Sequence, residues 1–261
     1  MELTIYQIDA FTNKVFGGNS AAVCPLKEWL SDEVMQAIAM ENAIAETAFI
    51  KPNKDGFDIR WFTPEIEMDL CGHATLAAAH VIKHHLKYSK SLILFDSKSG
   101  KLPVTWTDKI ISLDFPSRMP IESTAPKAIL NAFNIQPIEV FKSRDYMLIY
   151  ENEEQIKNLQ VNASTLDQIN LGPGGVIVTA KGNNVDFVSR FFTPQASTIE
   201  DPVTGSAHCS LIPYWAKRLS KSEMTAKQLS ARVGDLHCVN KGDRVIISGA
   251  AVTYLVGKIN V

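Results

Sequence analysis

The chain is poor in the features that announce most chemistries. Its four cysteines, Cys24, Cys71, Cys209 and Cys238, are scattered with no CxxC pair, which argues against a zinc site or a disulfide framework and for a reducing compartment. No long run of one charge occurs and the net charge is −2, so nucleic acid and anionic membrane are poor partners. No apolar stretch is long enough to span a bilayer. The opening MELTIYQIDAF alternates like a strand and lacks the basic start and apolar run of a secretion signal. A cytoplasmic location is the expectation. The HExxH, Walker and GxSxG patterns are missing, so His80, His84 and His85 form no recognised metal motif. Gly172-Pro173-Gly174-Gly175 precedes a strand instead of following one, which excludes a dinucleotide fingerprint. Neither a metal nor a cofactor is expected.

What the chain does contain is itself, twice. Residues 51–65 read KPNKDGFDIRWFTPE, and residues 181–195, 130 positions later, read KGNNVDFVSRFFTPQ. Lys51/Lys181, Asn53/Asn183, Phe57/Phe187, Arg60/Arg190, Phe62/Phe192, Thr63/Thr193 and Pro64/Pro194 are identical, where unrelated segments would share roughly one position. In a chain of 261 residues that offset is half the protein. The echo continues from Cys71-Gly72-His73-Ala74 to Thr204-Gly205-Ser206-Ala207, at an offset of 133. Two similar domains are expected, 1–116 and 117–261, with a last strand able to pack back on the first domain. Such a pair encloses a cleft, the usual seat of a small-molecule site.

The halves read in parallel. The first begins with a strand at 3–10. A helix follows that is capped by Ser31, with Asp32 and Glu33 favouring its dipole and Asn42 ending it in a left-handed conformation. A hairpin at 46–63 turns through Asp55-Gly56. An alanine-rich helix over 73–86 is apolar on most sides and therefore buried. The second half repeats the order, with a hairpin at 175–193 and a helix over 205–219 that Pro213 should end or kink early. Strands dominate without regular βαβ alternation, so the fold class is α+β, each domain a mostly antiparallel sheet around one apolar helix.

Candidate chemistry gathers in Ala45-Glu46-Thr47, residues 69–75 and residues 200–207. The last two segments place Gly72 and Gly205 at helix starts, where free N–H groups and the dipole suit a carboxylate. The alternative is that His73, Thr204 and Ser206 merely cap helices. At the 130-residue offset Glu46 corresponds to Val176. A carboxylate where the sister copy is apolar should be partly desolvated and suited to moving a proton near neutral pH. Asp201 reads as a second acid, a positioner or a turn former, and His73 as a donor, a proton carrier or a cap. Cys71 is treated as structural. Its counterpart, Thr204, rules out a symmetric cysteine pair.

Taken together, Ile8-Asp9-Ala10-Phe11, Gly18-Asn19, Ala22-Val23, Ala45-Glu46-Thr47, Phe62-Thr63-Pro64, residues 71–75, Phe192-Thr193-Pro194 and residues 200–207 resemble the phenazine-biosynthesis (PhzF-like) family. The match runs from about residue 4 to the end. The resemblance implies the diaminopimelate-epimerase-like fold, a homodimer, and a cofactor-independent isomerase of a small carboxylate. It assigns proton removal and return to Glu46, with His73 and Asp201 assisting and Gly72, Thr204, Gly205 and Ser206 holding substrate. One departure is Ala45, where the phenazine enzyme carries serine. An epimerase or racemase and a non-catalytic binding protein remain the alternatives.

Overall fold

In the computed structural model, which describes residues 1–107 and 109–261, the chain forms two compact units. One comprises Met1–Phe115 with Ile247–Val261, the other Pro116–Ile246. Unit 1 runs β1 (Glu2–Ala10), β2 (Asn19–Pro25), α1 (Asp32–Asn42), β3 (Glu46–Pro52), β4 (Phe57–Phe62), β5 (Glu67–Met68), α2 (Gly72–His84), β6 (Leu92–Ser97), β7 (Gly100–Thr107) and β8 (Ile110–Pro116). Unit 2 runs β9 (Ile121–Glu122), α3 (Lys127–Ala132), β10 (Glu139–Lys142), β11 (Tyr146–Ile149), α4 (Glu153–Asn158), α5 (Ala163–Leu166), β12 (Val176–Lys181), β13 (Phe187–Phe192), β14 (Glu200–Asp201), α6 (Gly205–Leu219), β15 (Glu223–Gln228) and β16 (Gly234–Asn240). After β17 (Arg244–Gly249), β18 (Ala251–Asn260) pairs antiparallel with β1 along almost its whole length.

The strand pairings bear out the internal repeat. In unit 1, β2 lies parallel to β3, β3 antiparallel to β4, and β4 pairs both the short β5 and the parallel β6, which turns back into β7. In unit 2 the same relations hold for β11, β12, β13, β14, β15 and β16. Each unit wraps this sheet on a helix with little polar surface. In α2, residues 72–82 are all buried, and the helix packs on β1, β2, β3 and β18. In α6, residues 205–216 are buried. A helix apolar all round has no solvent face to offer, so it must be the centre of its unit.

The repeated arginine explains why the FTP motif recurs. Arg60 forks onto Glu67 (Nε–Oε1 2.7 Å, Nη2–Oε2 2.8 Å) and lies 5.1 Å from the Phe62 ring. Arg190 forks onto Glu200 (2.7 and 2.9 Å) and lies 5.0 Å from the Phe192 ring. Each clasp ties a hairpin strand to the short strand that leads into the buried helix. They differ in their third partner. Arg60 Nη1 reaches the exposed Asp32, whereas Arg190 Nη1 donates to the carbonyls of Ile156 and Leu159 (3.1 and 2.7 Å), both buried residues. Removing Arg190 therefore strands more polar groups. Arg190→Ala should cost about 2–4 kcal/mol in urea unfolding, Arg60→Ala clearly less, and Arg190→Lys should restore under half, since an ammonium cannot fork.

Two local expectations are corrected. α1 has the Ser31 cap, its hydroxyl accepting from the Val34 N–H, but the left-handed residue that ends it is Ala43 (φ 49°), one beyond Asn42. Asn42 keeps helical geometry and donates to Thr47 Oγ1 at 3.0 Å, tying the helix end to the strand that carries Glu46. Pro213 neither ends nor interrupts α6, which continues to Leu219. Proline removes the N–H that would have bonded the carbonyl four residues back, and that carbonyl, of Cys209, accepts the Arg118 N–H instead, at 2.8 Å.

Candidate active site

The buried helices start without side-chain caps. The N-cap residues are Cys71 and Thr204, both in extended backbone, and neither side chain bonds the helix's own N–H groups. The capping reading of His73, Thr204 and Ser206 is therefore set aside, and these side chains are committed elsewhere. In each copy the residue three beyond Gly72 or Gly205 reaches back to the N-cap carbonyl: Thr75 Oγ1 donates to Cys71 O at 2.5 Å, and His208 Nδ1 bonds Thr204 O at 2.9 Å. That back-bond holds the peptide at the helix mouth.

In unit 1, Glu46 opens β3 and His73 is the second residue of α2. Glu46 Oε2 stands 2.8 Å from His73 Nε2; the glutamate side chain is 15% exposed and that of histidine 3%. Distance alone makes this an ion pair, but the approach is misaligned, so neither atom completes a well-formed hydrogen bond. The other ring nitrogen, Nδ1, lies 3.1 Å from the Asn19 amide and 3.6 Å from Cys71 Sγ. Burial alone would depress the imidazole pKa, yet the neighbouring Cys71 and Glu46 outweigh it and hold His73 well above its ordinary value. Burial first, and then the Glu46 charge, push the Cys71 thiol up to about 11. A neutral thiol cannot stabilise a cation by charge, so we assign the histidine's retained proton to Glu46. The same burial leaves Cys71 a poor nucleophile.

In unit 2 the matching positions carry different chemistry. Ser206, the second residue of α6, accepts a hydrogen bond from Arg144 Nη2 at 2.9 Å. Arg144 is held by the fully buried Asp145 carboxylate, which also accepts the Gly175 N–H at 2.9 Å. Because Ser206 accepts from a guanidinium, its own proton points elsewhere and is suited to an oxyanion. Asp201 accepts from Thr204 Oγ1 at 2.5 Å, and Gln228 fixes the whole corner, donating to the Asp201 carbonyl (2.7 Å) while accepting the Thr204 N–H (2.8 Å). Glu46, Gly72 and His73 thus come together in unit 1, and Asp201, Thr204, Gly205 and Ser206 in unit 2. Asn19 appears in the sequence only within the family pattern, and nothing in the sequence marks Arg144, Asp145 or Gln228, whose contacts with Ser206, Gly175 and Thr204 span tens of residues.

Strand register corrects the counterpart of Glu46. In unit 1, Thr47 faces Phe62; in unit 2 the residue facing Phe192 is Val176. Val176 therefore matches Thr47, and Glu46 matches Gly175. A Cβ at Gly175 would lie 2.4 Å from Phe191 Cζ and 2.7 Å from the Phe192 carbonyl oxygen. No side chain fits there, so unit 2 cannot carry the carboxylate that unit 1 does.

His208 is wholly buried, and burial, against a weaker pull from the Thr204 carbonyl, pushes its pKa down to about 4; burial takes His80 to about 3. Below pH 6.5 the unfolded imidazoles bind protons that the folded ones refuse. Their contribution is complete above that pH and lost as pH falls toward 4. An unfolding series from pH 7 to 4.5 should show a decline of about 3 kcal/mol from His208, and His208→Asn should flatten the slope.

A two-unit sheet fold wrapped on buried helices is shared with a solved epimerase. A hydroxyproline epimerase of Agrobacterium vitis, solved with trans-4-hydroxy-L-proline, matches with a TM-score of 0.65 over 99% of this chain and 92% of that one, at 8% identity. The fold is thus of the epimerase type. The model of the phenazine biosynthesis-like protein family matches residues 8–257, and the chain belongs to that family, an isomerase family. An isomerase of Pseudomonas aeruginosa is 46% identical over the full length of both chains. The crystal structure of a PhzF family protein from Enterococcus faecalis covers both chains completely, with a TM-score of 0.95 and 43% identity.

Proposed function

We propose that the protein isomerises a small carboxylate by moving a hydrogen ion between carbon atoms, with Glu46 as the group that takes and returns it. The observation that carries this is the lone carboxylate in misaligned contact with His73, at a position where the repeated unit has only Gly175. An acid/base needs a free lone pair, and Glu46 Oε2 has one, completing no hydrogen bond. His73, held protonated, stabilises negative charge developing on the substrate. Within unit 2, Ser206 with Arg144 behind it and the backbone N–H groups after Thr204 suit a carboxylate, and Asp201 and Thr204 set their positions; within unit 1, the backbone N–H groups after Cys71 suit one as well. Donors aimed at developing charge contribute several kcal/mol. A cyclic, amino-bearing substrate agrees with the family resemblance.

A two-base epimerisation is the competing reading from the same fold. A symmetric pair of bases is missing from both places the repeat could offer one: Thr204 stands at the counterpart of Cys71, and Gly175 at that of Glu46. The test is incubation of the enzyme in deuterated water with a panel of small carboxylates, cyclic amino acids included, followed by mass spectrometry and chiral analysis. We expect deuterium at a carbon of a constitutional isomer. Inversion at a single stereocentre, with no double bond or hydrogen relocated, would overturn the reading in favour of epimerisation.

A further inference from the structure

We propose that Glu46, Cys71 and His73 form a binding site for a thiophilic divalent cation, zinc above all, and that the ion is an inhibitor. One ligand atom from each of the three lies within 4.8 Å of the others. Zinc bonds of about 2.0–2.3 Å to oxygen, nitrogen and sulfur set ligand separations of about 3.3–3.8 Å, so small side-chain rotations close the trio on one ion. A thiolate, an imidazole and a carboxylate are zinc's preferred donors, while the sulfur disfavours magnesium and calcium. Three protein ligands leave a fourth position for water.

Two further observations point to a ligand. His73 is 2% exposed, yet its Nε2 and the facing Glu46 Oε2 both lack a well-formed hydrogen bond. The ligands are also rigidly carried. Cys71 and His73 sit in the first turn of α2, where Thr75 pins the Cys71 carbonyl, and Glu46 begins a strand paired on both sides. Asn19 Nδ2 lies 3.1 Å from the other ring nitrogen, and a half-turn of that amide presents its carbonyl oxygen to the Nδ1–H of a metal-bound imidazole, the usual role of an outer partner. The other cysteines are not similarly placed: among the described residues, no other group of three or more His, Cys, Asp or Glu gathers as closely. As the ion binds, two protons leave to solvent, one from the Cys71 thiol and one from the Nε2 of the protonated His73, and the two negative charges of thiolate and carboxylate balance the ion.

Cation binding by itself stands apart from the proposed function. Its inhibitory effect rests on that reading, since a coordinated Glu46 has no lone pair free for a proton. The experiment is a titration of the metal-free protein with zinc against a chromophoric chelator, repeated with cadmium to read the sulfur-to-metal ultraviolet band. Wild type should take up one tight equivalent and show the band. Cys71→Ser, nearly isosteric, should lose the band and weaken zinc binding roughly tenfold or more, with Glu46→Gln weakening it as well. Zinc going instead to His80 and His84, whose rings lie 4.5 Å apart on the same helix, would survive Cys71→Ser unchanged and overturn the proposal, as would cadmium uptake without the band. Under saturating zinc, deuterium exchange should stop and return on chelation. Exchange that persists with the site filled overturns the inhibition. A metal-free protein that binds zinc but exchanges no carboxylate sinks the isomerase reading and leaves the metal site standing.

Discussion

Glu46→Gln should abolish turnover while leaving the protein folded. The amide is nearly the same size, so the fold is kept, while His73 loses its charge partner and the melting temperature falls by a few degrees. The reaction loses the group that takes and returns the hydrogen ion. Acid/base groups typically supply about 10²–10⁴ in rate, and a loss of that order or greater is expected in solvent-deuterium incorporation. Glu46→Asp should recover part of it, because the shorter carboxylate keeps the charge but retreats from the reacting carbon. Full exchange by Glu46→Gln would refute the assignment of the base, whatever the substrate.

The second large effect belongs to a residue with no side chain at all. Gly175→Ala should destabilise the protein by about 2–3 kcal/mol, the ordinary cost of overpacking a close-fitted core, because the new methyl would press on Phe191 and on the Phe192 carbonyl. Only one of these neighbours can swing away; the carbonyl belongs to a paired strand. Gly175→Glu should fare worse, burying a charge without a partner. Neither variant should gain epimerase activity, and denaturant midpoints with chiral product analysis would show it. A tolerated Gly175→Glu with native stability would mean that the register argument is wrong.

Much of the fold was legible because its cues are local. Ser31 with two acids behind it announces α1, the repeated Arg-x-Phe-Thr-Pro announces a repeated hairpin, and an alanine-rich stretch apolar on most sides announces the central helix α2. The misreadings share a physical origin. Pro213 should disrupt a helix on local grounds, and does not, because Arg118, far away in sequence, satisfies the orphaned carbonyl. A constant offset between the copies places Val176 at the counterpart of Glu46. Hairpin pairing shifts it by one residue, and one residue in a strand exchanges one face for the other. Of the candidate site, the acid and the helix mouths could be read directly. Asn19, Arg144, Asp145 and Gln228 could not, since each acts through contacts tens of residues apart, made only by the finished sheet.

The strand that closes unit 1, β18, follows the whole of unit 2 along the chain. β18 covers β1, and Val261 donates its N–H to the Met1 carbonyl at 2.8 Å. During synthesis, unit 2 is therefore complete while the opening strand still waits for its neighbour, so the half that carries the acid is translated first and finished last. Until β18 has been made, β1 offers one bare backbone edge, free to pair with another molecule.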